Sequence, residues 1–254
     1  MCLILFAFKS HPNYKLVVAA NRDEFYERKT SPAGYWQDHP GVLAGRDLEG
    51  MGTWMGIHTG GNLSMLTNYR DLSNINPHAP TRGKLVSNFL ITNSKPSDYL
   101  DSINPLAESY NDFNILLGTP DDLWYYSNVD RRKMMLGSGV YGLSNHLLNT
   151  AWPKVEQGKS KLREALSNEY INTEDLFKSL STDNQAPDNK LPDTGVGIEM
   201  ERMLSPMFIK SPKYGTRCST VLTVDNSNNV CFVERTFDTS TFLYTDRSFD
   251  FLIK

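Results

Sequence analysis

Cys2 is the residue whose type and place most directly suggest chemistry. A small residue after the initiator methionine permits an aminopeptidase to remove Met1. One residue then carries both a thiol and a free α-amine, with ordinary pKa values of about 8.5 and about 8. The neutral amine can take the thiol proton, directly or through water, and return it to an amine leaving group. The thiolate would attack an amide carbonyl and form an acyl-enzyme. A cysteine here also suits the plainer role of a small buried apolar residue.

Four polar residues, Asn21-Arg22-Asp23-Glu24, follow the apolar run Val17-Val18-Ala19-Ala20. If that run pairs with residues 3–8, the polar group lies beside Cys2. Asp23 is then placed to hold the protonated α-amine. Arg22 is placed to favour the thiolate, and Glu24 to brace Arg22. The same four residues also suit a solvated ion cluster at a turn. A carbonyl under attack needs donors aimed at its oxygen. Asn68 and Asn145 each end a strand-like segment and can supply them, or can close Asx turns. Arg217, just before another strand, is a clamp for a thiolate or carboxylate, or a surface arginine.

Other motifs carry less. The five histidines lack metal-ligand spacing. The stretch Gly50-Met51-Gly52-Thr53-Trp54-Met55-Gly56 fails the dinucleotide fingerprint and reads as a bend admitting Trp54 to the core or a pocket wall. Cys218 and Cys231 are expected to be reduced, with a neighbouring position across a hairpin open to them.

The elements that must position these residues follow from periodicity. Residues 3–8 and 16–20 are apolar throughout, which predicts a hairpin covered on both faces. Residues 21–50 read as an excursion without regular elements. Strands are expected at 53–58 and 62–67, at 113–117 and 123–126, and at 218–224, 230–235 and 241–244. Helical spacing predicts helices around 85–90 with Thr81 as cap, around 99–107 with a break at Pro105, at 153–166, at 173–180 with Thr173 as cap, and at 198–204. The polar stretch 181–195 reads as a flexible surface loop. Strands covered on both faces, interrupted by helical pairs, predict an α+β chain of layers: two stacked sheets between two helical layers, or a single mixed sheet.

The chain has 254 residues, 39% apolar and 22% charged, with a formal charge of −3. That composition builds a sizeable core and excludes a wholly disordered chain. The balance gives no broad basic field, so no nucleic-acid partner is expected. No apolar run approaches the roughly 20 residues of a spanning helix, so stable membrane insertion is not expected. Three cysteines do not make a disulfide scaffold, and a cytoplasmic location is expected.

The run Ala19-Ala20-Asn21-Arg22-Asp23-Glu24 resembles the signature of the NRDE family, also called the transport and Golgi organisation protein 2 family. The likeness continues through Met1-Cys2, 52–56, 66–70, 141–145, Trp152-Pro153-Lys154-Val155 and 214–220, in family order over essentially the whole chain. The family resembles N-terminal nucleophile hydrolases of the penicillin V acylase and bile salt hydrolase branch. That resemblance implies a single domain over 1–254 folded as a four-layer αββα sandwich, and C–N bond hydrolysis by an exposed cysteine. By it Cys2 corresponds to the nucleophile. Arg22 and Asp23 resemble the arginine and aspartate beside it, although here they are adjacent. Asn68 and Asn145 resemble the oxyanion pair, and Arg217 the late arginine near the nucleophile.

Three functions follow. The first is an N-terminal cysteine amidohydrolase acting on a small acylated or hydrophobic molecule, without a cofactor. The second is a non-catalytic binding or trafficking protein on the same fold, with haem or another hydrophobic metabolite as ligand. The third is an interaction module in which the polar cluster only stabilises the fold.

Overall fold

A computed structural model describes residues 2–92 and 94–254. The chain opens on β1 (Cys2–Phe8) and β2 (Tyr14–Phe25), continues through β3 (Thr30–Tyr35), β4 (Val42–Asp47), β5 (Met55–His58) and β6 (Leu63–Asn68), and then forms α1 (Gly83–Ile91) and α2 (Pro96–Ile103). β7 (Phe113–Thr119), β8 (Asp122–Ser127), β9 (Lys133–Met135) and β10 (Gly139–Leu143) follow. α3 (Pro153–Ala165), α4 (Thr173–Leu180) and α5 (Ile198–Leu204) precede β11 (Tyr214–Asp225), β12 (Asn229–Phe237) and β13 (Tyr244–Leu252). One antiparallel sheet has the order β10-β1-β2-β11-β12-β13, and the other runs β3 to β9 in sequence.

Strand alternation explains the layering. Ile4, Phe6, Leu16 and Val18 face the second sheet and pack with Leu43, Ile57, Met65 and Leu116. Leu3, Leu5, Val17 and Ala19 point the other way, onto Val155 and Leu162 of α3 and Leu176 of α4. The outer face of the second sheet, with Val42, Leu66 and Ile115, is covered by Leu85 and Phe89 of α1 and Leu100 of α2. The result is helices, sheet, sheet, helices: an αββα sandwich. Each fully buried Leu, Val or Phe contributes about 1.5–3 kcal/mol, and a side chain on β1 finds an apolar layer whichever way it points.

Several local expectations are corrected. Residues 21–50 contain β3 and β4 as well as the long end of β2. β3 is irregular, with a register shift between Ser31 and Gly34, which hides its period. The cap of α1 is Arg82, without a side-chain bond, rather than Thr81. α4 is capped by Asn172, whose side chain accepts from the Glu174 N–H, rather than by Thr173. After α2 the break at Pro105 is a 3-10 segment over Asn104–Ser109. The last strand lies at 244–252, with five successive exposed residues on an edge, so it lacks the apolar signal. Cys218 pairs with Thr236 and Cys231 with Thr223, so the two cysteines are not cross-strand neighbours. The stretch 181–195 is irregular apart from a short 3-10 turn at Asp188–Lys190. Among the described residues no helix is long and apolar enough to cross a membrane.

Candidate active site

Cys2 begins β1 and is paired with Arg22 of β2. Arg22 is paired on its other side with Cys218 of β11. Cross-strand partners share a face, so Cys2 and Arg22 both look into the space between the sheets. On the opposite edge of β1, Ile4 pairs with Leu143. The segment after β10 stays at this end of β1, where Ser144 Oγ donates to the Cys2 carbonyl. The second sheet faces this corner with Trp54 and Asn68. Together Cys2, Arg22, Asp23, Glu24, Trp54, Asn68 and Arg82 line a cleft of about 290 Å³.

The polar tetrapeptide divides between the two faces of β2. Arg22 and Glu24 face the second sheet. The Arg22 guanidinium lies 4.2 Å from the Trp54 ring centroid and 3.8 Å from a Glu24 carboxylate oxygen. Trp54 is thus the pocket wall expected from the glycine-rich bend. Asn21 and Asp23 face the helices. Asn21 Nδ2 donates to the carbonyls of Leu180 and Met207 at 3.1 and 2.8 Å, and its Oδ1 accepts from Ser219 Oγ at 2.6 Å. Every one of these partners is structural, so Asn21 ties β2 to the helical layer. Asp23 Oδ1 accepts from Thr216 Oγ at 2.7 Å.

That last contact depends on a bulge. Thr216 pairs with Asp23 and Cys218 with Arg22, leaving Arg217 as an extra residue in β11. The insertion turns Thr216 onto the helix-facing side, where Asp23 is. Arg217 itself turns outward. Its guanidinium donates to the carbonyls of Phe25, Tyr26 and Arg28 at 2.9, 3.2 and 3.0 Å, pinning the turn after β2. It is absent from the residues lining the Cys2 cleft.

The two asparagines meet. Asn145 Nδ2 donates to the Asn68 carbonyl at 2.9 Å, and the Arg70 N–H donates to the Asn145 carbonyl at 2.8 Å. Ser144 Oγ donates to the carbonyl of Cys2 and to Asn145 Oδ1, both at 3.3 Å, which connects this pair to the first strand. Buried Asn114 supports the loop from below, donating to the His146 carbonyl at 3.0 Å. The structure thus brings together Cys2, Arg22, Asp23, Glu24, Asn68 and Asn145, and places Asn21 and Arg217 in supporting contacts. Anchoring of an amine by Asp23 concerns the residue before Cys2 and lies outside the described residues.

Burial dominates the electrostatics. It pushes the Cys2 thiol up, against the opposing pull of Arg22 and the Asp23 backbone N–H. It also pushes the Asp23 carboxyl up, against Lys154. A thiol held neutral needs a base to take its proton before it can attack.

Sequence reasoning missed three contributors. Arg82 precedes α1 and lines the cleft, donating to the Asp112 carbonyl at 2.8 Å. It is set there by a close backbone approach: a Cβ at Gly52 would overlap the Gly83 carbonyl group. Arg28 and Asp47 form a pair at 2.6 Å on the far wall. Lys154 is buried at the start of α3. The lysine's only sequence signal was its place in Trp152-Pro153-Lys154-Val155. Arg28 and Asp47 lie in the stretch read as an excursion, and Arg82 directly after the expected cap Thr81, where it was taken only as part of a helix.

A second cleft, about 400 Å³, adjoins the first and shares Glu24, Asn68, Arg82 and Asn111 with it. Its wall is largely apolar, including Tyr69, Leu72, Ile75, Met200, Met203 and Tyr214. Among the described residues no group of three or more His, Cys, Asp or Glu is arranged to hold a metal ion.

This sandwich, with a cysteine at the first residue of a central strand, is the fold of N-terminal nucleophile hydrolases. A solved structure of a Caenorhabditis elegans N-acylethanolamine-hydrolyzing acid amidase ortholog is similar to it, with a TM-score of 0.51 at 12% identity over 87% of this chain and 92% of that one. The chain belongs to the Transport and Golgi organisation 2 family, whose model matches residues 1–239. It is 36% identical to the human Transport and Golgi organization protein 2 homolog and 34% identical to the mouse homolog, in both cases over the full length of each chain. It is 29% identical to the Drosophila melanogaster protein over 93% of this chain and 92% of that one.

Proposed function

We propose that the protein is an N-terminal cysteine amidohydrolase that cleaves a non-peptide C–N amide bond through an acyl-enzyme. The observation that supports this reading is the pairing of Cys2 with Arg22 at a cleft that both line, with the Ser144-Asn145 segment bonded to the Cys2 carbonyl. With Met1 removed, the α-amine of Cys2 takes the thiol proton, and Asp23 orients that amine. The sulfur attacks the carbonyl carbon, forming an S–C bond and an oxyanion. The Asn68 backbone N–H and the second N–H of Asn145 Nδ2 stabilise that oxygen. The C–N bond then breaks, and the proton passes to the departing amine. Water attacks the thioester, releases the acid and restores the thiol. Arg22 acts as the charge beside the sulfur.

The apolar cleft beside the polar one suits a substrate with a hydrophobic acyl arm. The structurally similar amidase is named for hydrolysis of an N-acylethanolamine, and cleavage of an N-acyl amide is the chemistry carried over here. The test combines N-terminal mass analysis with a panel of N-acyl amides and a β-lactone electrophile. The expected result is a chain starting at Cys2 that gains one acyl group on that residue, with no adduct in Cys2→Ala. A mature chain that keeps Met1 and gives no Cys2 adduct would overturn the reading.

A further inference from the structure

Arg70 stands just beyond the Asn68 end of β6, and its backbone and side chain hold different parts of the molecule. The backbone N–H donates to the Asn145 carbonyl at 2.8 Å, while Asn145 Nδ2 donates to the Asn68 carbonyl at 2.9 Å. Asn145 is thus bonded through both its main chain and its side chain to the segment 68–70. The Arg70 guanidinium is buried 4.9 Å from the Trp152 ring centroid, and its Nη1 donates to Glu201 Oε2 of α5 at 2.7 Å.

Glu201 is fully engaged. It is 3% exposed, although the three residues before it on α5 are exposed. Its Oε1 accepts from the Thr194 N–H at 2.9 Å and from the Thr194 hydroxyl at 2.5 Å, and Oε2 is taken by Arg70. A buried ion pair recovers its desolvation cost only with good geometry and further hydrogen bonds, so it adds little stability; its best-attested use is to fix one arrangement. What it fixes here is the segment 68–70. The ladder between β6 and β7 ends at Asn68, so sheet pairing no longer sets the backbone beyond it. The Tyr69 N–H still reaches the Asp112 carbonyl at 3.0 Å, and Arg70 is then held through its side chain and its bond to Asn145. The same helix, α5, supplies Met200, Met203 and Leu204 to the wall of the apolar cleft, which Arg70 also lines.

We propose that Arg70 is a positioning residue that acts through Asn145: its buried ion pair with Glu201 anchors the segment 68–70 to α5, and so aims the Asn145 amide at the oxygen of the attacked carbonyl. The role rests on the amidohydrolase reading and deepens it. The helix that lines the acyl cleft also sets the oxyanion donor, so the acyl arm and the carbonyl at its end are placed from one element. A displacement of about 1 Å at such a donor can cost a factor of about a hundred in rate.

The test compares two reagents on Cys2 of the full-length chain, followed by intact mass. A β-lactone acylates the thiol through an oxyanion. Iodoacetamide alkylates it by displacing iodide, with no oxyanion to stabilise. Removing one charge leaves the other buried and unpaired, so the main variant combines Arg70→Met with Glu201→Leu; Glu201→Gln, which keeps a hydrogen-bonding group, is the second. In both, acylation is expected to slow by about tenfold to a hundredfold while alkylation stays within about twofold of the parent. A pair that only stabilised the fold would move both reactions together. An unchanged ratio of the two rates in folded variants overturns the proposal. The ¹⁵N signal of the Asn145 side-chain amide, assigned by its loss in Asn145→Ala, gives a readout without any acylation and is expected to shift in the same variants. A shift in a chain that no β-lactone acylates keeps the anchoring and removes the hydrolase reading, whereas an unmoved signal overturns the anchoring itself. The two failures are therefore distinguishable.

Discussion

The two faces of β2 at its C-terminal end differ in kind, although their residues alternate along four positions. The face toward the second sheet, with Arg22 and Glu24, opens on a cleft. Its contacts are long or soft: a 3.8 Å ion pair and a guanidinium over an indole. The face toward the helices, with Asn21 and Asp23, is closed and held by short hydrogen bonds of 2.6 and 2.7 Å to β11. One face is built for access and the other for fixity. A nucleophile needs both: a reachable sulfur and a backbone that does not move beneath it. The pleat delivers the two from a single strand.

Substitutions on the two faces should therefore fail differently. The largest effect is expected from Asn21→Ala. It strips partners from Ser219 Oγ and from two buried carbonyls, and should cost about 3–4 kcal/mol of stability, read by urea denaturation. A loss below about 1 kcal/mol would erase the distinction between the faces. Thr216→Val comes next. It removes the donor to Asp23 and the acceptor of the Ile209 N–H, a loss of about 2 kcal/mol in the same measurement.

On the open face the reading shifts from stability to reactivity. Arg22→Met should leave the denaturation midpoint little changed but slow iodoacetamide labelling of Cys2 about tenfold at pH 7. Loss of the neighbouring cation raises the thiol further, and one unit is a factor of about ten in thiolate. Equal labelling rates would show that Arg22 does not act on the sulfur.

The smallest effect sharpens the comparison on the inter-sheet side. Glu234 of β12 is buried, accepts from the Ala33 N–H of the opposite sheet at 2.6 Å, and has its carboxyl raised by burial. A carboxyl raised on folding favours the folded state below its unfolded value of about 4.3, and that advantage is lost as pH rises through the folded value. Glu234→Gln should therefore match the parent in stability to urea near pH 4 and exceed it at pH 8, by about 1 kcal/mol. A gap that shrinks with rising pH would reverse the assignment.

The central hairpin was legible because both of its arms are apolar at every position, which only a strand covered on both sides requires. The polar run after Ala20 was legible as a site because such residues are out of place at the end of a buried strand. β3 and β13 were not legible: one carries a register shift and the other is an exposed edge, so neither shows a clean period. Arg217 shows a different limit. Its place just before a strand and the family resemblance suggested a clamp near the nucleophile, but the bulge turns its guanidinium onto the carbonyls of Phe25, Tyr26 and Arg28.

By itself, the amino-acid sequence determined that residues 3–8 and 16–20 pair as a hairpin covered on both faces, with a polar run at its end beside Cys2; the register that puts Cys2 and Arg22 on one face came from the structure. The hairpin is a local consequence of two apolar runs joined by a turn. Only the tertiary structure decided what each face meets. Trp54 and Asn68 come from the side of the other sheet, and Asn145 from the loop after β10. Such encounters depend on how the layers stack, and no local pattern encodes that.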